Sequence, residues 1–338
     1  MKLLKYCVKI VLAGIVAFSI LCGAAAVYSL TPMRVENKYG NTDYVWESEK
    51  LWMKMSEGIS CGLMDAKGFN NLHVIDNPDV LLLGSSHIEG MNVLQKEHTV
   101  NLLNDKFDGR IKFYNMGISG HTLFKVVQYL EKSILAFETV PKYIVIESST
   151  TVLSETDVEN TLNKTVEVTT VNSEGLIAKL QKFPFLRQVY HQLDSGMMDM
   201  LLPSPVSSND YSDSQPIVEE PSIDEHPYED FFMYIKSVEE KYSTQIVIMY
   251  HPFESINKDG TISFSNGEYT SLFADYAHKN NIDFIDMTNS FENMYYNEYQ
   301  VPHGFCTGEL GSGHINKYAH KAMADELYAY FSGIKEDE

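Results

Sequence analysis

Short apolar runs alternate with stretches of helical periodicity along most of the chain. Asp79-Val-Leu-Leu-Leu-Gly84 is apolar without alternation and stops at a glycine, the pattern of a buried strand. Ile111–Asn115, Lys142–Glu147, Gln245–Tyr250 and Ile282–Asp286 repeat the pattern and predict four more strands. Between Thr122 and Phe137, Leu123, Val126, Val127, Leu130 and Ile134 recur at helical spacing. Phe231, Phe232, Ile235 and Val238 mark the buried face of another helix, and Asn316 caps a last one running to about Phe331. Strands alternating with helices imply right-handed crossovers and a parallel sheet covered on both faces. In such sheets the chemistry gathers at the carboxyl ends of the strands.

Two regions depart from this rhythm. Residues 31–77 read as a leader or stalk, with weak helical periodicity around Glu47–Met55. Between the third and fourth strands an insertion at about 152–228 is too long for a simple crossover. Its part from Glu174 to Leu202 looks helical. Pro203–Pro227 is rich in Pro, Ser, Asp and Glu, contains no Lys or Arg, and reads as a solvated loop. The globular domain is expected over 78–338.

The N-terminus adds a location. Lys2, Lys5 and Lys9 precede an uncharged stretch from Ile10 to Val27. As a helix it spans about 27 Å, close to the hydrocarbon thickness of a bilayer. Lysines ahead of the span keep that end in the cytoplasm, so the rest of the chain is expected outside, single-pass and anchored by residues 1–30. Ala24-Ala25-Ala26 resembles a cleavage site, so a signal peptide is the competing reading; export follows from both.

Charge and cysteines mainly exclude. With 26 Lys+Arg against 46 Asp+Glu, the net charge of −20 offers no basic surface for nucleic acid. Cys7 and Cys22 lie in the apolar segment, leaving Cys61 and Cys306 without a zinc-like spacing, so no metal is expected.

Three motifs carry the candidate chemistry. Gly84-Ser85-Ser86-His87 places a serine on a tight strand-to-helix turn, where its hydroxyl is exposed to attack. Asn115-Met-Gly-Ile-Ser-Gly120 follows the second strand, and the N–H of Gly120 can approach a developing oxyanion without a side chain in the way. Gly311-Ser-Gly-His314-Ile-Asn316 sets a histidine between a glycine turn and the last helix, well placed as a base.

In this order and at these strand ends, the three motifs resemble those of the SGNH (GDSL) hydrolases over about residues 78 to 332. The resemblance implies a flavodoxin-like three-layer α/β/α sandwich with a five-stranded parallel sheet, here preceded by one transmembrane helix. It implies Ser86 as nucleophile, His314 as base, the N–H groups of Ser86 and Gly120 as oxyanion donors, and no cofactor. Two positions depart from the family. Gly311 stands where the family places its aspartate, so Glu309, Asp286 or a backbone carbonyl is left to orient the imidazole. Ser149 and Thr150 stand near the missing oxyanion asparagine and are candidate donors. His87, His121 and His251 are possible substrate contacts, each with a structural role as the alternative. The expected activity is that of an extracytoplasmic esterase on acyl groups of envelope polysaccharide, O-acetyl above all. A transferase using the same Ser–His site and a non-catalytic binding protein are the alternatives.

Overall fold

The computed structural model describes residues 2–27, 32–37, 42, 44–54, 57–163, 179–180, 183, 185–186, 189, 225–265, 267–306 and 310–334. The chain divides into two compact units, residues 1–32 with 172–224, and residues 33–171 with 225–338. In the first, helix α1 (Lys2–Val27) contains a 22-residue segment, Leu4–Ala25, long and apolar enough to cross a membrane; a signal sequence would satisfy the same criterion. The acidic stretch expected as a loop lies, up to residue 224, outside the described residues, as does most of the helical stretch before it.

The second unit begins with two antiparallel hairpins, β1 (Arg34–Val35) with β2 (Val45–Trp46) and β3 (Leu51–Lys54) with β4 (Ser60–Leu63). This corrects the expectation of a leader or stalk. Trp46, Trp52, Met64 and Phe69 are buried in the main apolar core, so the segment is part of the globule. It also corrects the helical reading of Glu47–Met55. Leu51-Trp-Met-Lys alternates out and in as a strand does, and the indole of Trp52 packs over Gly62, where a Cβ would lie 2.7 Å from the ring.

The remaining elements follow as β5 (Val80–Gly84), α2 (Ser86–Glu89), α3 (Thr99–Phe107), β6 (Phe113–Gly117), α4 (Leu123–Ile134), β7 (Tyr143–Ser148) and α5 (Glu155–Leu162). After the insertion come α6 (His226–Tyr242), β8 (Gln245–Tyr250), the hairpin β9 (Glu254–Ile256) with β10 (Ile262–Phe264), and α7 (Gly267–Lys279). The chain continues through β11 (Asp283–Asp286), α8 (Thr288–Glu298), the hairpin β12 (His303–Gly304) with β13 (Leu310–Ile315), and α9 (Lys317–Ile334). The five expected strands all form. They make one parallel sheet in the order β11-β8-β7-β5-β6, the flavodoxin-like arrangement.

Side-chain alternation divides this sheet between two cores. Leu81, Leu83, Ile144, Ile146, Ile246 and Ile248 face α4, α6 and α7. Val80, Leu82, Val145, Val247 and Met249 face α3, α8 and α9. Both faces are covered, which is why the strands read as unbroken apolar runs. The strand order reverses between β5 and β7, and their carboxyl ends open the crevice in which such sheets bind ligands.

Candidate active site

Ser86 is the first residue of α2, immediately beyond β5. The turn is built by Ser85 and Gly84. The Ser85 hydroxyl accepts a hydrogen bond from His87 N at 3.2 Å and caps the helix, while Ser85 N donates to Glu147 Oε2 at 2.7 Å. A Cβ on Gly84 would meet that carboxylate oxygen at 2.4 Å and Ile88 Cγ1 at 2.6 Å, so only glycine lets the strand run directly into the helix.

Glu147 is buried and accepts from His251 Nε2 at 2.7 Å. Burial, the largest influence, favours the protonated form of Glu147. Hydrogen bonds from His251 and Ser85 outweigh it and hold the carboxyl below its usual range. The charge under the turn is therefore paired, and it clamps Ser85 from below.

His314 lies on β13, one residue before its end, between its glycine neighbours and the last helix. Its Nε2 is 2.9 Å from Ser86 Oγ, and its Nδ1 is 2.5 Å from Glu57 Oε2. A carboxylate only accepts, so the Nδ1 proton faces Glu57 and the Nε2 lone pair faces the serine hydroxyl. The hydrogen bond from His314 is the largest influence on Glu57 and, with the charges of His314 and Lys54, lowers its pKa against the cost of burial.

Glu57 is the acid that sequence reasoning missed. It stands in the turn between β3 and β4, 257 residues from the histidine it meets. Asn92 Nδ2 donates to the same Oε2 at 2.6 Å, and Asn92 Oδ1 accepts from Lys54 Nζ at 2.8 Å, which fixes the amide's orientation. The one local signal is Gly313, whose φ is +78° and where a Cβ would lie 2.2 Å from Glu57 Oε1. Of the two acids expected here, Asp286 is exposed and accepts from Thr288 N at 2.9 Å and its hydroxyl at 2.6 Å, at the start of α8. It does not bond His314. Glu309 lies outside the described residues.

The three flanking histidines are largely buried. His87 is buried, and its Nδ1 accepts from Ile315 N at 3.2 Å, tying α2 to the strand that carries His314. Its ring lies 4.7 Å from that of His251 and 5.3 Å from that of His314. Burial first, then the neighbouring histidines, push its pKa well down, so it is a neutral acceptor. His251 is fully buried on Glu147. His121 is buried and stacks on Tyr129 at 5.7 Å. His251 has no exposed surface, and His87 and His121 retain 7% each. A second buried pair supports the hairpin of His314. His303 donates from its backbone N at 3.0 Å and from Nδ1 at 2.6 Å to the two oxygens of Glu254.

Gly120 is exposed with φ +84° in a turn closed by His121 N on Ile118 O at 3.1 Å. Among the described residues neither its N–H nor that of Ser86 donates to an acceptor. Beyond β7, the Thr150 hydroxyl is engaged, accepting from Val152 N at 3.1 Å, while Ser149 is half-buried beside it. Among the described residues no cluster of three metal-ligating side chains occurs.

No protein-family model and no curated protein sequence matches the chain. Among solved structures it is similar to the acetyl xylan esterase AlAXEase, at 15% identity over 74% of this chain and 98% of that one, with a TM-score of 0.37. It is also similar to a catalytic mutant of the acetylxylan esterase Axe2 from Geobacillus stearothermophilus, at 14% identity over 75% and 94%, with a TM-score of 0.39. An α/β hydrolase from the metagenome of Lake Arreo gives 12% identity over 76% and 95%, with a TM-score of 0.38.

Proposed function

We propose that this chain is a serine esterase of the SGNH type, held at the outer face of a membrane by its N-terminal helix and acting on acyl esters of envelope polysaccharide, O-acetyl groups above all. The observation that carries the reading is the unbroken line Ser86 Oγ–His314 Nε2, His314 Nδ1–Glu57 Oε2. A protein that only bound its ligand would have no use for an oriented base beside a half-buried serine hydroxyl.

In this mechanism Ser86 Oγ attacks the ester carbonyl carbon as its proton passes to His314 Nε2. The imidazolium is stabilised by Glu57, and the tetrahedral oxyanion by the N–H groups of Ser86 and Gly120. When the intermediate collapses, the bond to the alcohol oxygen breaks. His314 protonates the departing alkoxide, leaving acyl-Ser86. Water, deprotonated by His314, then adds to the acyl carbon; collapse releases the carboxylic acid and returns the proton to Ser86. A second alcohol in place of water gives transfer by the same steps.

The test is p-nitrophenyl acetate turnover by the detergent-solubilised chain, with Ser86→Ala and His314→Ala alongside and a fluorophosphonate probe for Ser86. Turnover by the parent and background rates in both variants are expected. A parent that neither turns over ester nor labels overturns the reading, whereas labelling without turnover points to transfer from another donor.

A further inference from the structure

The two oxyanion donors of the proposed mechanism sit on different elements, and one buried carboxylate joins them. Glu89 ends α2, one helical turn beyond Ser86, and is 3% exposed. Its Oε1 accepts from Ser119 N at 3.3 Å and from Trp46 Nε1 at 2.7 Å, and its Oε2 accepts from the Ser119 hydroxyl. Three donors meet a group that only accepts, a match that an amide or a hydroxyl cannot fully reproduce. From the opposite side the Tyr44 hydroxyl donates to Ser119 O at 2.9 Å.

Ser119 is thereby gripped through its N–H, its side chain and its carbonyl, and Gly120 is the next residue. Gly120 has no comparable support: a Cβ built on it would meet nothing within 4 Å. Its position is inherited from Ser119. The close approach that makes this possible is visible one step earlier. A Cβ on Gly117 would lie 2.2 Å from Glu89 N and 2.4 Å from Ile88 C, and Ile118 N donates to Gly84 O at 3.0 Å. The end of β6 is thus pressed against α2, and Glu89 fixes the turn that follows.

We infer that Glu89 is a positioning residue for the oxyanion site, holding the Gly120 N–H in register with Ser86 through Ser119 and using Trp46 of the β1–β2 hairpin as its own support. The inference rests on the proposed serine-esterase reading. Displacing a catalytic group by about 1 Å costs about 10²-fold, and losing one oxyanion donor costs about 10²–10³-fold. Glu89→Ala should therefore lower kcat by about 10- to 100-fold with KM nearly unchanged, and slow fluorophosphonate labelling of Ser86 in parallel. Glu89→Gln keeps an acceptor for Trp46 and Ser119 N and should recover to within about fivefold of the parent.

Glu89→Ala leaves Trp46 Nε1 buried without its partner and risks misfolding, so Ser119→Ala is the second arm. It removes one hydrogen bond to Glu89 and leaves Trp46 paired. A labelling rate reduced about 3- to 10-fold at unchanged Tm is expected. Equal labelling of the parent and Ser119→Ala, or a folded Glu89→Ala with unchanged kcat, overturns the inference while the esterase reading stands. A parent that does not label at all overturns the esterase reading itself.

Discussion

Replacing Glu57 by Gln isolates the charge of the carboxylate from its geometry. Glu57 Oε2 receives hydrogen bonds from both His314 Nδ1 at 2.5 Å and Asn92 Nδ2 at 2.6 Å. Asn92 is held in orientation by Lys54, so two N–H groups converge on one point. In the Gln variant the amide oxygen occupies that point, because an NH2 group there would face two donors. The histidine therefore keeps its tautomer and loses its ionic partner, together with the long 3.4 Å hydrogen bond from its backbone N to Oε1.

With imidazolium and carboxylate about 4 Å apart at an effective dielectric of about 20, the lost attraction is about 4 kcal/mol. The Glu57 and His314 side chains are 30% and 27% exposed, so water screens part of it. About 2–3 kcal/mol remains, which lowers kcat by about 30- to 150-fold. Initial rates on p-nitrophenyl acetate at pH 7.5 measure it, with KM expected to stay within about twofold because no bond to the ground-state ester is touched. Glu57→Ala, which also frees the ring, should be slower still. A Gln variant within about threefold of the parent would refute the charge argument. A loss approaching 10⁴-fold would instead mean that the tautomer had flipped and that Asn92 does not govern the amide.

Gly313→Ala should copy the Glu57 defect without touching a charged group. The added Cβ would lie 2.2 Å from Glu57 Oε1, and φ is +78°. A backbone cost of about 1–2 kcal/mol is expected together with a large fall in kcat. Gly109→Ala is the control, with φ +73° and nothing within 4 Å; it should lose similar stability by thermal unfolding and keep its rate. Acid should destabilise the fold well above the carboxylate range. Burial lowers His98 from 6.5 to about 4, and lowers His87, His303 and His320 as well. Below about pH 6.5 the unfolded chain takes up protons that these folded histidines refuse, so stability falls with pH; His98 alone accounts for about 3 kcal/mol by pH 4. Glu57 and Glu147, held below their usual range, add to the loss below about pH 4.5. A Tm that stays flat between pH 7.5 and 5 would contradict the neutral assignment of the four histidines.

The elements legible in the sequence are those whose burial is symmetric. Val80–Leu83 and Ile246–Tyr250 are apolar throughout because helices cover both faces of the sheet, so composition alone marked them. The meeting of Ser86 with His314 and the turn at Gly120 were legible for a related reason. Each of these residues stands at a strand end or beside glycines whose conformations serve the turn, and Gly120 and Gly313 both take positive φ. The β3–β4 hairpin was obscured because two strands of four residues carry too little periodicity to separate from a helix.

The sequence by itself determined the order of strands and helices, the serine and histidine, and the apolar N-terminal segment, since each is written in neighbouring residues. Only the tertiary structure decided which acid reaches His314. Asp286 lies nearer in sequence but its carboxylate is taken by Thr288, while Glu57 arrives from the β3–β4 hairpin that Trp52 anchors in the core. The same holds for the burial of His87 and His251, which no neighbouring residue in the sequence announces. The physical reason is common to these cases. Side-chain chemistry is a local property, whereas a partner within hydrogen-bond reach and a share of solvent are settled only when distant segments pack.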